Sequence, residues 1–339
     1  MRVAILGSGS WGSALAKVLA DNHHSVTLWG IESKVIDEIN QDKSNHRYLS
    51  DFKFPDKVTA CSDLTLAVKE REVILFAVPT QVIRGVAQDL SDFLKSQNSK
   101  PVLIHVSKGL EQGTHLRISQ VIEEVIAREL YQDLVVLSGP SHAEEVARED
   151  LTTITAASKS LQAAEFVQEL FMNHYFRVYT NTDVIGVELG AALKNIIALG
   201  AGVLNGLGYG DNAKAGLITR GLAEISRLGI EMGADPLTFA GLSGVGDLIV
   251  TCTSVHSRNF QAGQLLAQGY TAEEVAEKVQ MVVEGIFTCK AAYELAQDYQ
   301  VEMPITQGLY SVLYQGADIK QLMGQLMTRT GKQEASLNQ

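Results

Sequence analysis

Roughly the first 180 residues alternate between short apolar runs and longer amphipathic stretches. Candidate strands lie over 2–6, 25–29, 73–78, 102–106, 134–138, 151–157 and 176–179. Several of them are near-continuous apolar runs, which are typical of parallel strands buried on both faces. Apolar residues spaced by three or four positions predict helices over 10–21, 81–95, 115–130 and 160–172. A run alone does not exclude a buried helix, but the regular alternation predicts a doubly wound α/β sheet of the Rossmann type.

The pattern changes near residue 183, where strand-like runs become rare. Helical periodicity then predicts helices over 183–205, 212–232, 259–268, 272–279, 285–299 and 305–315. Asp235-Pro236 and Met303-Pro304 mark helix starts or stops. We therefore predict an α/β domain over 1–182, an all-α domain over 183–330 and a frayed polar tail over 331–339. Because no flexible linker marks the change, we expect an extensive interface between the two domains.

A glycine-rich turn, V-A-I-L-G-S-G-S-W-G, joins the first predicted strand to the first predicted helix. Gly7, Gly9 and Gly12 have the spacing G-x-G-x-x-G, which places a pyrophosphate at a helix N-terminus. An ordinary tight turn is the alternative, but the position directly after a buried strand favours dinucleotide binding. The backbone N–H groups of Ser10 and Trp11 would then face the diphosphate oxygens, with core packing an equal alternative for the Trp11 ring.

The end of the second strand bears on the choice of cofactor. Glu32 lies 20 residues after Gly12, where an acid commonly binds the ribose 2′-hydroxyl. A carboxylate there would repel a 2′-phosphate, and no arginine in W-G-I-E-S attracts one. This favours NAD over NADP weakly, because Glu32 could equally be a solvated residue at a helix start.

Composition narrows the class of protein. A net charge of −11 over 339 residues argues against a non-specific nucleic-acid surface, although a small basic pocket remains possible. Three scattered cysteines without C-x-x-C spacing fit a reducing compartment and argue against a disulfide framework or a structural zinc site. No signal peptide is visible, and the most hydrophobic helical stretch, 196–204, is too short to span a bilayer. We expect a cytoplasmic protein without stable membrane insertion.

Two further loops follow predicted strands at the same edge of the sheet. S-K-G-L after strand 102–106 would place Lys108 in the ligand cleft, because ligands of open α/β sheets bind outside the carboxyl ends of the strands. S-G-P-S-H-A after strand 134–138 offers Gly139, Ser141 and Ala143 as donors or small neighbours. A loop lysine that is merely solvated is the alternative for Lys108.

The all-α half carries charged residues inside apolar segments. Lys194 lies in E-L-G-A-A-L-K-N, and burial of an unpaired ammonium is costly, so this lysine is paired, snorkelling or functional. Asp247, in G-V-G-D-L-I-V-T-C-T, could hold a lysine charge. Ser257, Arg258 and Asn259 form a donor set suited to a phosphate, although S-R-N is also a plausible helix N-cap.

Together these motifs, with V-V-E-G at 282–285, resemble the bacterial NAD(P)-dependent glycerol-3-phosphate dehydrogenase family, in order from about residue 2 to 325. The resemblance implies a cytoplasmic homodimer that uses NAD or NADP. It implies reversible reduction of dihydroxyacetone phosphate to sn-glycerol 3-phosphate, which feeds glycerophospholipid synthesis. Many members carry histidine or arginine where this chain has Ile31, so the cofactor preference stays open.

The resemblance also implies a role for each matching residue. Lys194 corresponds to the proton donor and acceptor, and Lys108 corresponds to a second active-site lysine. Asp247 is expected in the catalytic set with these two lysines. With the glycines of the turn, the expected cofactor contacts are Gly7, Gly9, Ser10, Trp11, Gly12, Lys108, Ala143, Arg258, Val282 and Glu284. The expected substrate contacts are Lys108, Gly139, Ser141, Lys194, Asp247, Ser257, Arg258 and Asn259. No metal is expected, because the lysine would polarise the ketone.

Two alternatives and one question stay open on sequence alone. Another dehydrogenase of the same architecture could act on a hydroxy acid or a sugar phosphate, and a non-catalytic NAD(H)-sensing module would also contain the glycine turn. The pKa of Lys194 is undetermined, because burial and Lys108 would lower it while Asp247 would raise it.

Overall fold

The structure is a computed structural model that describes residues 1–50, 52–98, 100–279, 281–331, 333 and 334. Most of the predicted tail, 332 and 335–339, lies outside these residues. The strands of the sheet are β1 (Arg2–Leu6), β2 (Ser25–Trp29), β3 (Val58–Cys61), β4 (Val73–Phe76), β5 (Val102–His105), β6 (Leu134–Ser138), β7 (Thr152–Ala157) and β8 (Phe176–Asn181).

These strands form one eight-stranded sheet in the order β3-β2-β1-β4-β5-β6-β7-β8. All neighbouring pairs are parallel except β6 and β7, which are antiparallel. The chain leaves β1 toward one edge and returns through β4 on the other side. The carboxyl ends of β1 and β4 therefore form the topological switch point, where open α/β sheets bind their ligands. The doubly wound Rossmann-type sheet predicted from the sequence is confirmed.

Helices cover both faces of this sheet, which explains the continuous apolar runs. The helices of this half are α1 (Ser10–Asp21), α2 (Ser33–Gln41), α3 (Leu64–Val68), α4 (Ile83–Leu94), α5 (Ile118–Val125), α6 (Ala143–Ala147) and α7 (Leu161–Phe171). In β1, Val3 and Ile5 belong to the core on one face, while Ala4 and Leu6 belong to the core on the other. Each fully buried valine, isoleucine or leucine side chain contributes about 1.5–3 kcal/mol.

Some elements of this half differ from the prediction. The strand β3 was not predicted, because V-T-A-C is short and its burial alternates at the edge of the sheet. The helices α3 and α6 were not predicted either, since each contains only five residues. For α2, the sequence offered only the alternative that Glu32 lies at a helix start, and Glu32 is the N-cap of this helix. The predicted helix over 115–130 was too long: α5 ends at Val125, and a single 3₁₀ turn follows at Arg128–Leu130.

The second half is helical. Its helices are α8 (Val184–Gly206), α9 (Asp211–Glu231), α10 (Pro236–Phe239), α11 (Asp247–Thr253), α12 (Arg258–Ala267), α13 (Ala272–Val279), α14 (Glu284–Asp298), α15 (Pro304–Gln315) and α16 (Ile319–Met327). Both predicted proline boundaries are confirmed, since α10 and α15 begin at Pro236 and Pro304. The short helices α10 and α11 and the terminal α16 were not predicted.

The helix α8 runs through the centre of this half and is buried on all sides. The apolar stretch 196–204 is part of this 23-residue helix, which as a whole is long and apolar enough to cross a membrane by length and composition. Its most apolar window is 94% buried inside the protein, as in a core helix. A second stretch, Pro236–Thr253, is also long and apolar enough to cross a membrane by length and composition. However, it bends at Gly244, and its most apolar window is only 44% buried.

Two glycines allow α12 to cross α8 at close range. A Cβ on Gly202 would lie 2.0 Å from the Phe260 carbonyl oxygen, and a Cβ on Gly263 would lie 2.1 Å from the Leu199 carbonyl oxygen. Larger side chains would therefore push the helices apart. This close crossing brings the beginning of α12 beside the middle of α8, where Lys194 lies.

Candidate active site

The glycine turn between β1 and α1 has the shape that a pyrophosphate requires. Gly7 has φ +127°, and a Cβ on Gly12 would lie 2.1 Å from the Gly7 carbonyl oxygen, so both positions require glycine. A Cβ on Gly9 would meet nothing within 4 Å, so the backbone there faces open space. No side chain caps the first turn of α1, so its N–H groups remain available to an anion. The turn therefore fits a dinucleotide.

Ser10 and Trp11 begin α1 beside this open space. The Ser10 hydroxyl donates to the Tyr48 carbonyl oxygen at 2.7 Å, which ties the helix start to the loop after α2. Trp11 is half-buried, and its ring packs against the sheet core, as the core-packing alternative expected. Their backbone N–H groups face the first turn of the helix, so both residues stay candidates for cofactor contact.

Two lysines and one aspartate meet where the sheet and the helices adjoin. Lys108 follows β5, Lys194 lies in α8, and Asp247 begins α11. Asp247 Oδ2 accepts a hydrogen bond from Lys108 Nζ at 2.8 Å, and Asp247 Oδ1 accepts one from Lys194 Nζ. Both Lys194 and Asp247 are buried, so each ammonium is charge-compensated by one shared carboxylate.

The remaining contacts of the lysines fix their direction. Lys194 Nζ also donates to Thr251 Oγ1 at 2.7 Å, and Lys108 Nζ donates to the Gly139 carbonyl oxygen at 2.9 Å. Sequence reasoning did not single out Thr251, although it lies four residues after Asp247 and so on the same helix face. An ammonium has three N–H donors, so each lysine keeps one that is not committed to these partners.

The electrostatics of this cluster set the proton affinity of Lys194. Burial is the largest influence and lowers the pKa of Lys194, because the ammonium loses its water. Asp247 raises this pKa and Lys108 lowers it, and the outcome is a pKa of about 7 instead of 10.5. Burial would raise the pKa of Asp247, but the two ammonium groups outweigh it and hold this pKa below 3.8.

A chain of amides joins the lysines to the start of α12. Asn195 Nδ2 donates to the Lys108 carbonyl oxygen at 3.0 Å, and Asn259 Nδ2 donates to Asn195 Oδ1 at 2.9 Å. Asn259 Oδ1 in turn accepts the backbone N–H of Gly285 at 2.9 Å. One side of the cleft is thereby fastened to α8, α12 and α14 together.

The S-R-N segment is used partly as a helix cap. The Ser257 hydroxyl accepts the Phe260 backbone N–H at 3.2 Å, so the N-cap alternative describes Ser257. Arg258 is exposed, and its guanidinium donates to the Val282 carbonyl oxygen at 3.2 Å. This guanidinium has five N–H donors, so most remain available to an anion at the rim of the cleft.

Glu284 connects the helical half to the sheet edge. Glu284 Oε1 accepts the backbone N–H of Thr80, in the turn after β4, at 2.9 Å. Burial raises the pKa of Glu284, and Thr80 and Arg258 counteract this in part. Ser141 donates to the Gly139 carbonyl oxygen at 2.9 Å, and Ala143 begins α6, so both line the loop that also receives Lys108.

The end of β2 contains an arginine that the sequence argument overlooked. Glu32 Oε2 accepts from Arg47 Nη1, and Glu32 Oε1 accepts from the Tyr48 hydroxyl. Arg47 lies 15 residues after Glu32, so a search confined to W-G-I-E-S could not find it. Ile31 is 83% exposed beside this pair.

A second buried charged cluster was also overlooked. Glu188, six residues before Lys194 in α8, accepts the backbone N–H of Ser119 at 2.7 Å and a hydrogen bond from Arg117 Nη1. His105 Nε2 lies 3.1 Å from Glu188 Oε1. Burial would raise the pKa of Glu188, but His105, Arg117 and Ser119 outweigh it and lower the pKa to about 2. This cluster holds α8 against β5 and α5.

A switch-point turn shaped for a pyrophosphate, together with a buried and a partly exposed lysine that share a carboxylate, defines an oxidoreductase that uses a nicotinamide dinucleotide. Models described as the N-terminus and the C-terminus of NAD-dependent glycerol-3-phosphate dehydrogenase match residues 2–164 and 183–324. The chain belongs to the NAD-dependent glycerol-3-phosphate dehydrogenase family.

Individual relatives agree with this family. A glycerol-3-phosphate dehydrogenase [NAD(P)+] of Enterococcus faecalis is 62% identical over 98% of this chain and 97% of its own. One of Lactiplantibacillus plantarum is 61% identical over 98% of both chains. The crystal structure of a glycerol-3-phosphate dehydrogenase of Coxiella burnetii matches with a TM-score of 0.90 at 37% identity, over 97% of this chain and 99% of that one.

Proposed function

We propose that this chain catalyses the reversible reduction of dihydroxyacetone phosphate to sn-glycerol 3-phosphate with NAD(H) or NADP(H). The observation that carries the proposal is the shared carboxylate: Asp247 holds Lys108 and Lys194 at the carboxyl edge of the sheet. The family and the full-length relatives named for this activity support it. They do not favour a hydroxy-acid dehydrogenase or a non-catalytic NAD(H)-sensing module.

Ketone reduction requires a hydride at the carbon and a proton at the oxygen. The bound nicotinamide supplies the hydride chemistry. We assign the proton to Lys194, because its uncommitted N–H can donate to the ketone oxygen while Asp247 and Thr251 hold the other two. The free N–H of Lys108 offers a second donor to the developing negative charge on that oxygen.

The proton affinity of Lys194 suits a reaction that runs in both directions. With a pKa of about 7, the side chain is present near neutral pH both as an ammonium and as an amine. The ammonium donates the proton during reduction, and the amine accepts it during oxidation of the alcohol. A lysine with an ordinary pKa of 10.5 would be almost entirely protonated and a poor base.

We assign the substrate phosphate to the beginning of α12. Arg258 offers an exposed guanidinium, and Asn259 has a second N–H beyond the one given to Asn195. Gly139 and Ser141 lie on the opposite side, where Lys108 is anchored. The phosphate would therefore be held at the rim while the ketone reaches Lys108 and the buried Lys194.

We also propose the arrangement of the whole protein. Residues 1–182 form the dinucleotide domain, and residues 183–330 form the substrate and dimerisation domain of a cytoplasmic homodimer without membrane insertion, which supplies glycerophospholipid synthesis. Sedimentation velocity tests the oligomeric state, and a monomer at micromolar concentration would refute the dimer.

The direct test is spectrophotometric. NADH and NADPH oxidation are followed with dihydroxyacetone phosphate, and with pyruvate and a sugar phosphate as comparison substrates. We expect turnover on dihydroxyacetone phosphate alone, and loss of at least about 10³-fold in kcat for Lys194→Ala with NADH binding retained. Lys290→Ala, which removes another helical lysine, is the control. Equal turnover of the comparison substrates would contradict the proposal.

A further inference from the structure

A carboxylate and a guanidinium lie side by side just after the end of β2. Glu32 is the residue before α2, and its two carboxylate oxygens accept from Arg47 and from Tyr48. The Arg47 guanidinium also lies over the Tyr48 ring, 5.3 Å from its centroid. A carboxylate and a guanidinium therefore share the place expected for the ribose next to the adenine.

The loop that carries Arg47 is fastened to the glycine turn. Asn45 Nδ2 donates to the Ser8 carbonyl oxygen at 2.9 Å and to Ser13 Oγ at 2.9 Å. The Tyr48 carbonyl oxygen accepts from Ser10 Oγ at 2.7 Å. Since these bonds reach both sides of the turn, the loop is held beside the dinucleotide site, and Arg47 projects from a fixed base.

We propose that Arg47 is the residue that admits a 2′-phosphate, so that one subsite accepts both NAD(H) and NADP(H). The proposal rests on the dinucleotide-dependent function given above. Arg47 is 62% exposed at its side chain, so it can leave Glu32 for a phosphate without breaking any core packing. The first turn of α2 has no side-chain cap, so its N–H groups add donors toward the same anion.

The subsite works through an exchange of partners. With a free 2′-hydroxyl, Arg47 stays on Glu32, and the carboxylate retains lone pairs that accept the ribose hydroxyl. With a 2′-phosphate, the dianion competes for the guanidinium, which offers a planar pair of donors suited to phosphate. Arg47 thereby offsets the repulsion between Glu32 and the phosphate that the sequence alone suggested.

The experiment compares Arg47→Ala with Arg2→Ala. Arg2 is a matched control, because it is an exposed arginine paired with Glu70 at the amino-terminal ends of the strands, and its loss changes the net charge equally. Binding of 2′,5′-ADP and of ADP is measured by calorimetry, and binding of NADPH and NADH by nucleotide fluorescence. These readouts do not depend on turnover.

We expect Arg47→Ala to weaken 2′,5′-ADP and NADPH at least about tenfold, the loss of one charge-assisted contact, and to change ADP and NADH less than about twofold. Glu32→Gln should strengthen 2′,5′-ADP relative to ADP, and Arg2→Ala should change neither ratio. Equal weakening of both ligand pairs by Arg47→Ala, or an equal effect of Arg2→Ala, would overturn the proposal. Absence of ketone reduction with an intact binding difference would refute the proposed function and leave the subsite standing.

Discussion

Replacing Asp247 tests the proposal that Lys194 donates the proton, because the charge of Asp247 raises the pKa of Lys194. Asp247→Asn keeps the shape and one hydrogen-bond acceptor but removes the carboxylate that favours the ammonium of Lys194. Burial and Lys108 would then act unopposed, and both lower the pKa of Lys194. Lys108→Met removes the like charge instead, so it should raise this pKa.

The size of the shift follows from simple electrostatics. Two unit charges about 4 Å apart interact by about 4 kcal/mol at an effective dielectric constant of roughly 20. Since 1.36 kcal/mol corresponds to one pKa unit, the carboxylate accounts for roughly 3 units. We expect Asp247→Asn to move the pKa of Lys194 from about 7 to roughly 4–5, because the amide oxygen retains part of the interaction.

The assay is the pH dependence of kcat/KM for dihydroxyacetone phosphate reduction, which reports the free enzyme. Lys194 must be protonated to act as the acid, so activity falls as the pH rises through its pKa. This fall in kcat/KM defines a basic limb of the pH profile near pH 7. The limb should move by about 2–3 pH units toward acid in Asp247→Asn and by about one pH unit toward base in Lys108→Met. Both variants lower the plateau, but the position of the limb is the readout.

The two variants should shift the pH profile in opposite directions, and this difference in direction tests the assignment. Circular dichroism across the pH range verifies that each variant stays folded. A limb that does not move in Asp247→Asn, or that moves in the same direction in both variants, would refute the assignment of Lys194 as the proton donor within this charge cluster.

Three further substitutions test other parts of the structure. Gly12→Ala places a Cβ 2.1 Å from the Gly7 carbonyl oxygen, so NADH affinity should fall at least about tenfold by fluorescence titration; unchanged affinity would contradict the turn geometry. Arg258→Ala should raise KM for the phosphorylated ketone about tenfold or more, with a smaller effect on NADH affinity, and an unaltered KM would remove Arg258 as the anchor. Glu188→Gln should lower the free energy of unfolding by about 3–5 kcal/mol at neutral pH. Because the folded pKa of Glu188 is about 2, below 4.5, its contribution is present above pH 4.5 and is lost as the pH falls toward 2. Urea denaturation at pH 7 and pH 3 should show the difference shrinking, and a constant difference would contradict the role of the charge.

The sequence alone predicted those structural elements that depend only on residues close together in the chain. Continuous apolar runs predicted the strands β1, β4 and β5, because a strand buried on both faces needs no polar positions. The glycine spacing predicted the turn, since Gly7 and Gly12 meet across five residues. The helix around Lys194 was predicted from its helical periodicity, which is also a property of residues close together in the sequence. The edge strand β3 was missed, because an alternation over only four residues is too short to distinguish a strand from a loop.

Only the tertiary structure decided which distant side chains meet. Asp247 lies 139 residues from Lys108 and 53 from Lys194, and their contact depends on how α8 and α11 pack against the end of β5. The low pKa of Lys194 follows from burial, a property of the packed helices and not of the residues beside it in the chain. Arg47 reaches Glu32 for a similar reason, since the loop after α2 folds back onto the glycine turn. The periodicity of the sequence shows which face of a helix or strand is buried. Which charged side chains meet depends on how these buried faces pack against one another.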